Sequence, residues 1–313
     1  MYQVPDSDPD LAARRASSFG ASAAAYADER PDYPAAAVRW ALEPVAGRAP
    51  LRVLDLAAGT GKLTEVLLND GVPAGRITAV EPDPGMREEF GRRVPGVRML
   101  AGGAEDIPLP DAAVDAVLVG QAMHWFDHDR ALPEIHRVLA PGGVLAALWN
   151  TDVDTVPWVA GLKAASRSSV SFQRKESETL PATKEFPAFE RGEFPHAHRR
   201  TAESMAATIG THSHMLVLEP DERDAVLAAI VGYLRSVPET ADGEFDYPLL
   251  TLALRATRLI PGAGAARRPG VLRTMYAVRP QVGAGHRRGD AEMEGCHSPA
   301  RPSAASPPRA RTS

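Results

Sequence analysis

The first half of the chain alternates short apolar runs with amphipathic stretches. Runs at 53–56, 77–80, 97–100, 114–120 and 144–149 are too short for helices and read as strands, several rich in Val, Leu and Ile. Helical patterns open at Lys62 and pass through 134–139 between these runs. Alternation of this kind predicts an α/β fold, a doubly wound and mostly parallel sheet covered by helices on both faces. After Asn150 the alternation stops. Residues 158–171, 201–210 and 221–236 read as helices, and 186–199 and 245–257 as strands, the first of them interrupted. In 221–236, Val226, Ile230, Val231 and Leu234 share one stripe, and Asp221 and Glu222 place negative charge at the helix start. Ahead of the first strand, residues 19–42 read as a short helix, a proline-bounded break and a second helix.

Both ends differ in kind. Residues 1–18 are polar and are expected to be flexible. Residues 261–313 carry nine arginines against three acids and no Phe, Trp, Ile or Lys. So few large apolar groups cannot offset the entropy of ordering, so this low-complexity basic segment is expected to be disordered. Either a basic tail or a stretch read in an altered frame has such a composition.

Elsewhere, 44% hydrophobic residues suffice for a substantial core, and the net charge of −5 gives no general attraction to nucleic acid or anionic membrane. A single cysteine, Cys296, excludes an internal disulfide, and no His/Cys/Asp cluster has metal-ligand spacing, so no metal is expected. No apolar run approaches eighteen residues and the acidic N-terminus lacks a signal-peptide core, which points to a soluble cytoplasmic protein. Oligomeric state is left open.

The chemistry concentrates in VLDLAAGTGKLT, residues 53–64, and in the AVEPD, residues 79–83, that closes the second strand. Small residues let a ligand approach the backbone, and Glu81 at a strand tip suits a ribose diol. A dinucleotide fingerprint fails because its third small position falls on Lys62 or Thr64. A P-loop fails because Leu63 follows Lys62 and Leu56 stands at the first glycine.

The remaining pattern, Asp-x-Ala-x-Gly-x-Gly with an acid after the next strand, resembles motif I of the class I S-adenosylmethionine-dependent methyltransferases. Ala57 replaces the usual first glycine. GAEDIPLP at 103–110 resembles that family's adenine loop, and Pro141-Gly142-Gly143 with its flanking helix and strand resembles its third motif. The run QAMHWF at 121–126 is similar to the small-molecule, methyltransferase type 11-like branch that includes trans-aconitate methyltransferases.

The resemblance implies a seven-stranded sheet, with a cofactor core and N-terminal lid at 19–150. The remaining strands and substrate-wall helices would lie at 151–260. It implies S-adenosylmethionine as cofactor, a small-molecule acceptor, and methyl transfer to an oxygen, carboxylate or hydroxyl; the alternatives are a nitrogen or carbon acceptor in a secondary metabolite, or cofactor binding without activity. Asp55, Ala57, Gly59, Gly61, Glu81, Pro82, Ala104, Glu105, Gln121 and Ala122 would then surround the cofactor. Tyr26, Tyr33, Trp125 and Trp149 would face the substrate. His124 could act as a base, bind substrate or order its loop, and Tyr26 and Tyr33 could instead pack a cover onto the sheet. His196, His198, His212 and His214 read as surface residues. No nucleic-acid partner is expected, since the folded part is acidic and GQAMHWF stands where base-directed enzymes carry an Asn/Asp-Pro-Pro-aromatic motif.

Overall fold

A computed structural model describes residues 23–168, 180, 182–186 and 188–259. The expected flexible segment 1–18 and disordered tail 261–313 lie outside the described residues.

Seven strands form one sheet in the order β3-β2-β1-β4-β5-β7-β6. Strands β1 (Val53–Leu56), β2 (Ile77–Glu81), β3 (Arg98–Ala101), β4 (Val114–Gly120) and β5 (Leu139–Asp152) are mutually parallel where they pair. Strand β7 (Phe245–Thr257) runs antiparallel between β5 and β6 (Glu190–Arg200). The chain order reverses between β1 and β4, so the strand ends there open a crevice.

Helices α1 (Ala23–Glu29) and α2 (Ala35–Leu42) precede the sheet. Helices α3 (Lys62–Asn69), α4 (Pro84–Arg93) and α5 (His128–Val138) connect the parallel strands. Helices α6 (Pro157–Ala165), α7 (Ala202–Gly210), α8 (Ser213–Leu216) and α9 (Pro220–Ser236) fall between β5 and β7. The expected helix 158–171 thus ends by Ala165, while the short α8 carried no periodic signal.

Strands β1 and β4 are buried on both faces, which explains their unbroken apolar character. One face packs Val53, Leu118 and Leu148 against Val38 and Leu67; the other packs Leu54, Val117 and Leu145 against Ile135 and Leu132. A third cluster joins Leu162, Met205, Ile230 and Leu234 to Phe245, Tyr247 and Leu249. That cluster anchors the inserted helices on β7. The Pro141-Gly142-Gly143 turn is absorbed into β5 as an irregularity: Val114 pairs with Leu139 but Ala116 with Val144. A Cβ on Gly143 would lie 2.8 Å from the carbonyl oxygens of Ala140 and Asp115, so only glycine fits that crossing.

Candidate active site

Where β1 ends, the chain turns through three left-handed residues, Ala57 (φ 57°), Gly59 (φ 57°) and Gly61 (φ 97°). The two glycines serve different ends. A Cβ on Gly61 would stand 2.6 Å from Val94 Cγ2 and 3.0 Å from Phe90 Cδ2, so this residue lets α3 begin tight against α4. A Cβ on Gly59 would meet nothing within 4 Å, because Gly59 lines a cleft. Behind the turn, Thr64 Oγ1 donates to Asp55 Oδ2 at 2.6 Å. Burial pushes the Asp55 carboxyl up to about 7 despite that bond.

Glu81 is fixed by backbone. The Gly59 N–H donates to Oε2 and the Asp83 N–H to Oε1, each at 2.9 Å. Burial raises this carboxyl above its ordinary range, and the two N–H groups pull it partly back. A carboxylate oxygen accepts more than one hydrogen bond, so both oxygens keep capacity for a ligand hydroxyl. Asp83 caps α4 by accepting from Met86 N at 2.8 Å, which sets the direction in which the chain leaves β2.

Beyond β3, residues 102–110 are tied to α5. Glu134 Oε2 accepts from Ile107 N at 3.0 Å, and Arg137 donates to the carbonyls of Ile107 and Leu109. Ala104 is buried, and Glu105 Oε1 accepts from Asp127 N at 3.0 Å. Beyond β4, Gln121 is left-handed (φ 57°) and its Nε2 donates to Asn150 O at 3.1 Å, clamping the ends of β4 and β5 together. A 3-10 turn, Met123–Trp125, then presents His124 and Trp125 with ring centroids 5.0 Å apart.

The opposite wall comes from distant parts of the chain. Tyr247 Oη donates to Asp152 Oδ1 at 2.7 Å, and Thr251 Oγ1 donates to Asn150 Oδ1 at 2.6 Å. Arg30 Nη2 donates to Thr211 O at 3.2 Å, with its guanidinium 5.0 Å from the Tyr26 ring centre. Burial, helped by Arg200, pushes His198 down to about 4. Burial, then Arg30 and His214, hold His212 well below the ordinary imidazole range. Both are neutral at physiological pH.

These walls enclose one cleft of about 2080 Å³. Ala57, Gly59, Glu81, Pro82, Ala104, Glu105, Gln121 and Ala122 line it, as do Tyr26, His124 and Trp125. Asp55 and Gly61 sit behind the turn they support. Tyr33 and Trp149 are 7% and 4% exposed and pack in the two main cores, away from the cleft surface. Gly120 leaves the space for Tyr33, whose hydroxyl would be 2.6 Å from a Cβ there. His198, His212 and His214, read as surface residues, line the cleft instead, and Asp152 and Tyr247 carried no sequence signal at all. Their partners are remote in sequence, so no local pattern could reveal them.

The open Gly59 position, the backbone-held Glu81 and the Gly102-to-Ala104 wall fit a nucleoside with an extended sulfonium side chain. Strand order and site together define a class I methyltransferase. A methyltransferase-domain family matches residues 54–147. An uncharacterized methyltransferase of Mycobacterium tuberculosis is 37% identical over 77% of this chain and 95% of its own length. A trans-aconitate 2-methyltransferase of Methylobacterium nodulans is 30% identical over 74% of this chain and 96% of its own. Among solved structures, a candidate type II methyltransferase from Anaeromyxobacter dehalogenans has a TM-score of 0.51 and 29% identity, covering 73% of this chain and 96% of that one. The chain belongs to the S-adenosylmethionine-dependent methyltransferase family, and its cofactor is S-adenosylmethionine. No described helix is long and apolar enough to cross a membrane.

Proposed function

We propose that the protein methylates an oxygen atom, carboxylate or hydroxyl, of a small molecule. The observation that carries this reading is the cleft itself. At about 2080 Å³ it exceeds the roughly 300–1,000 Å³ of an ordinary ligand pocket, which leaves room for an acceptor beside the cofactor. The similarity to a trans-aconitate 2-methyltransferase over most of both chains supports a small acid or alcohol over a macromolecule. The acidic balance of the chain argues against nucleic acid.

The bound cofactor supplies a methyl group already activated on a sulfonium, so the protein's part is to bind, orient and exclude water. Glu81 holds the ribose hydroxyls, and Gly59 with Ala57 lets the methionyl part approach the backbone. Asp55 and Gly61 brace that turn. Pro82, Ala104, Glu105, Gln121 and Ala122 form the walls around ribose and adenine. Tyr26, His124 and Trp125 border the acceptor, while Tyr33 and Trp149 support the sheet beneath it. His124→Ala is expected to lower turnover about tenfold, the scale of one lost hydrogen bond to the acceptor, while leaving S-adenosylhomocysteine affinity unchanged.

Methyl-labelled cofactor, incubated with the protein and a panel of small acids, alcohols and amines, tests the proposal. Label in an alkali-labile ester or a stable ether is expected. Label confined to nitrogen or carbon products would sink it.

A further inference from the structure

Asp152 ends β5 on the wall opposite Glu81, and nothing in the cofactor half uses it. It is reached by solvent yet surrounded by protein on nearly every side, the situation of a group on a concave surface. Its Oδ1 is held by Tyr247 Oη at 2.7 Å, from β7. Tyr247 is itself 5% exposed and packed among Trp158, Leu249 and Phe245, so the carboxylate is oriented by a rigid partner. No salt bridge neutralises Asp152 among the described residues. The nearby Lys163 of α6 is engaged by Asp154 at 2.8 Å instead. Strand pairing puts His198 opposite Tyr247, and His198, Arg30, Lys163 and Asp154 line the same cleft as the carboxylate.

We infer that Asp152 is the proton acceptor for the methyl acceptor, with Tyr247 as its positioning residue, and that the acceptor is a hydroxyl compound. This rests on the oxygen-methylation reading above and narrows it. A carboxylate acceptor arrives ionised and needs no base, and it would be repelled by Asp152; a hydroxyl must lose a proton as it reacts. The acceptor O–H proton passes to Asp152 Oδ2 while an oxygen lone pair forms the new O–CH3 bond. The electron pair of the broken S–CH3 bond stays on sulfur, and the proton then leaves to solvent through the open cleft.

The electrostatics agree with the geometry. Burial raises the Asp152 carboxyl above its ordinary range, opposed first by the Tyr247 hydrogen bond and then by Lys163; Asp154 adds to the rise and Arg30 opposes it. A carboxyl poised in this way takes up a proton more readily than one in water. Burial and the adjacent Asp152 charge also keep the Tyr247 phenol protonated as a donor.

The test compares wild type, Asp152→Asn and Tyr247→Phe, using labelled cofactor with small phenols and alcohols and with trans-aconitate as the carboxylate probe. S-adenosylhomocysteine titration monitors the fold of each variant. Wild type is expected to label hydroxyl probes, and Asp152→Asn to lose roughly 100-fold or more in kcat with cofactor-product affinity retained. Independently of turnover, 13C NMR of Asp-labelled protein should show a carboxyl titrating above the usual range that is absent in Asp152→Asn. Tyr247→Phe removes a hydrogen bond to the ionised form, so that midpoint and the acid limb of kcat should both move to higher pH. If Asp152→Asn does not fold, Tyr247→Phe carries the decision through this paired shift. Undiminished activity in Asp152→Asn, an ordinary carboxyl midpoint, or no hydroxyl product from a wild type that binds S-adenosylhomocysteine would overturn the inference. Label on trans-aconitate alone would overturn it while leaving oxygen methylation standing, whereas label on nitrogen or carbon alone would remove both.

Discussion

The half of the cleft proposed to hold the cofactor and the half proposed to hold the acceptor are assembled over different distances along the chain. Asp55 and Thr64, which brace the glycine turn, are 9 residues apart, and Glu81 meets Gly59 across 22. On the other side Asp152 meets Tyr247 across 95, and Arg30 meets Thr211 across 181. One half is a βαβ unit whose geometry follows from its own sequence. The other exists only once β7 has inserted beside β5 and α7 has come to rest under the N-terminal segment. The first should therefore resist perturbation elsewhere in the chain, and the second should be sensitive to it.

Within the cofactor half, structural and ligand-facing positions can be separated by substitution. Gly61→Val is expected to cost about 4 kcal/mol in chemical denaturation, from a left-handed backbone and a clash with Val94 and Phe90. Gly59→Ala adds a side chain into open space, so it should cost only about 1 kcal/mol of stability while sharply weakening cofactor binding. Equal destabilisation by the two would erase the distinction.

A pH profile of stability provides the next largest effect. Asp55 is 1% exposed and its folded carboxyl lies near 7, above its unfolded value. The folded state thus binds more protons between about pH 4 and pH 7, and stability falls as pH rises through that window. Asp55→Asn should abolish that fall and stabilise the ligand-free protein by about 4 kcal/mol at pH 8, with the Thr64 contact kept. Identical urea midpoints for both proteins at pH 8 would show that the carboxylate is better solvated than its surroundings indicate.

Glu81→Ala should weaken S-adenosylhomocysteine binding by about 2 kcal/mol, the scale of hydrogen bonds to a charged group, as read by calorimetry. An unchanged isotherm would place the ribose elsewhere. The smallest expected effect is favourable: Ala57→Gly relieves a left-handed alanine and should add about 1 kcal/mol. A loss of stability there would mean that the alanine methyl contributes more by packing than its conformation costs.

Legibility in the sequence follows the same division. The five parallel strands, the turn and the acid that ends β2 are readable because each is a contiguous pattern of period and small residues. Strand β6 starts at Glu190 rather than at the expected 186, because it is an edge strand with an exposed outer face and no clean alternation of apolar residues. For Tyr33 the sequence supports substrate contact and packing alike, and a missing side chain at Gly120 admits its ring to the core. Nothing local marks His198 or Tyr247 as cleft residues; their placement is decided by the register of β6 against β7.

The short stretch 28–32, the end of α1 and the start of its link to α2, is gripped from both sides. Asp32 pairs with Lys62 at 2.9 Å and Asp28 with Arg93, both on helices of the cofactor half. Glu29 pairs with Arg200 at 3.3 Å, its carbonyl accepts from Thr208, and Arg30 reaches Thr211, all on the acceptor side. Opening the cleft along this stretch breaks contacts to both halves together. A single tether therefore serves both halves, and a shift of it would be felt in each.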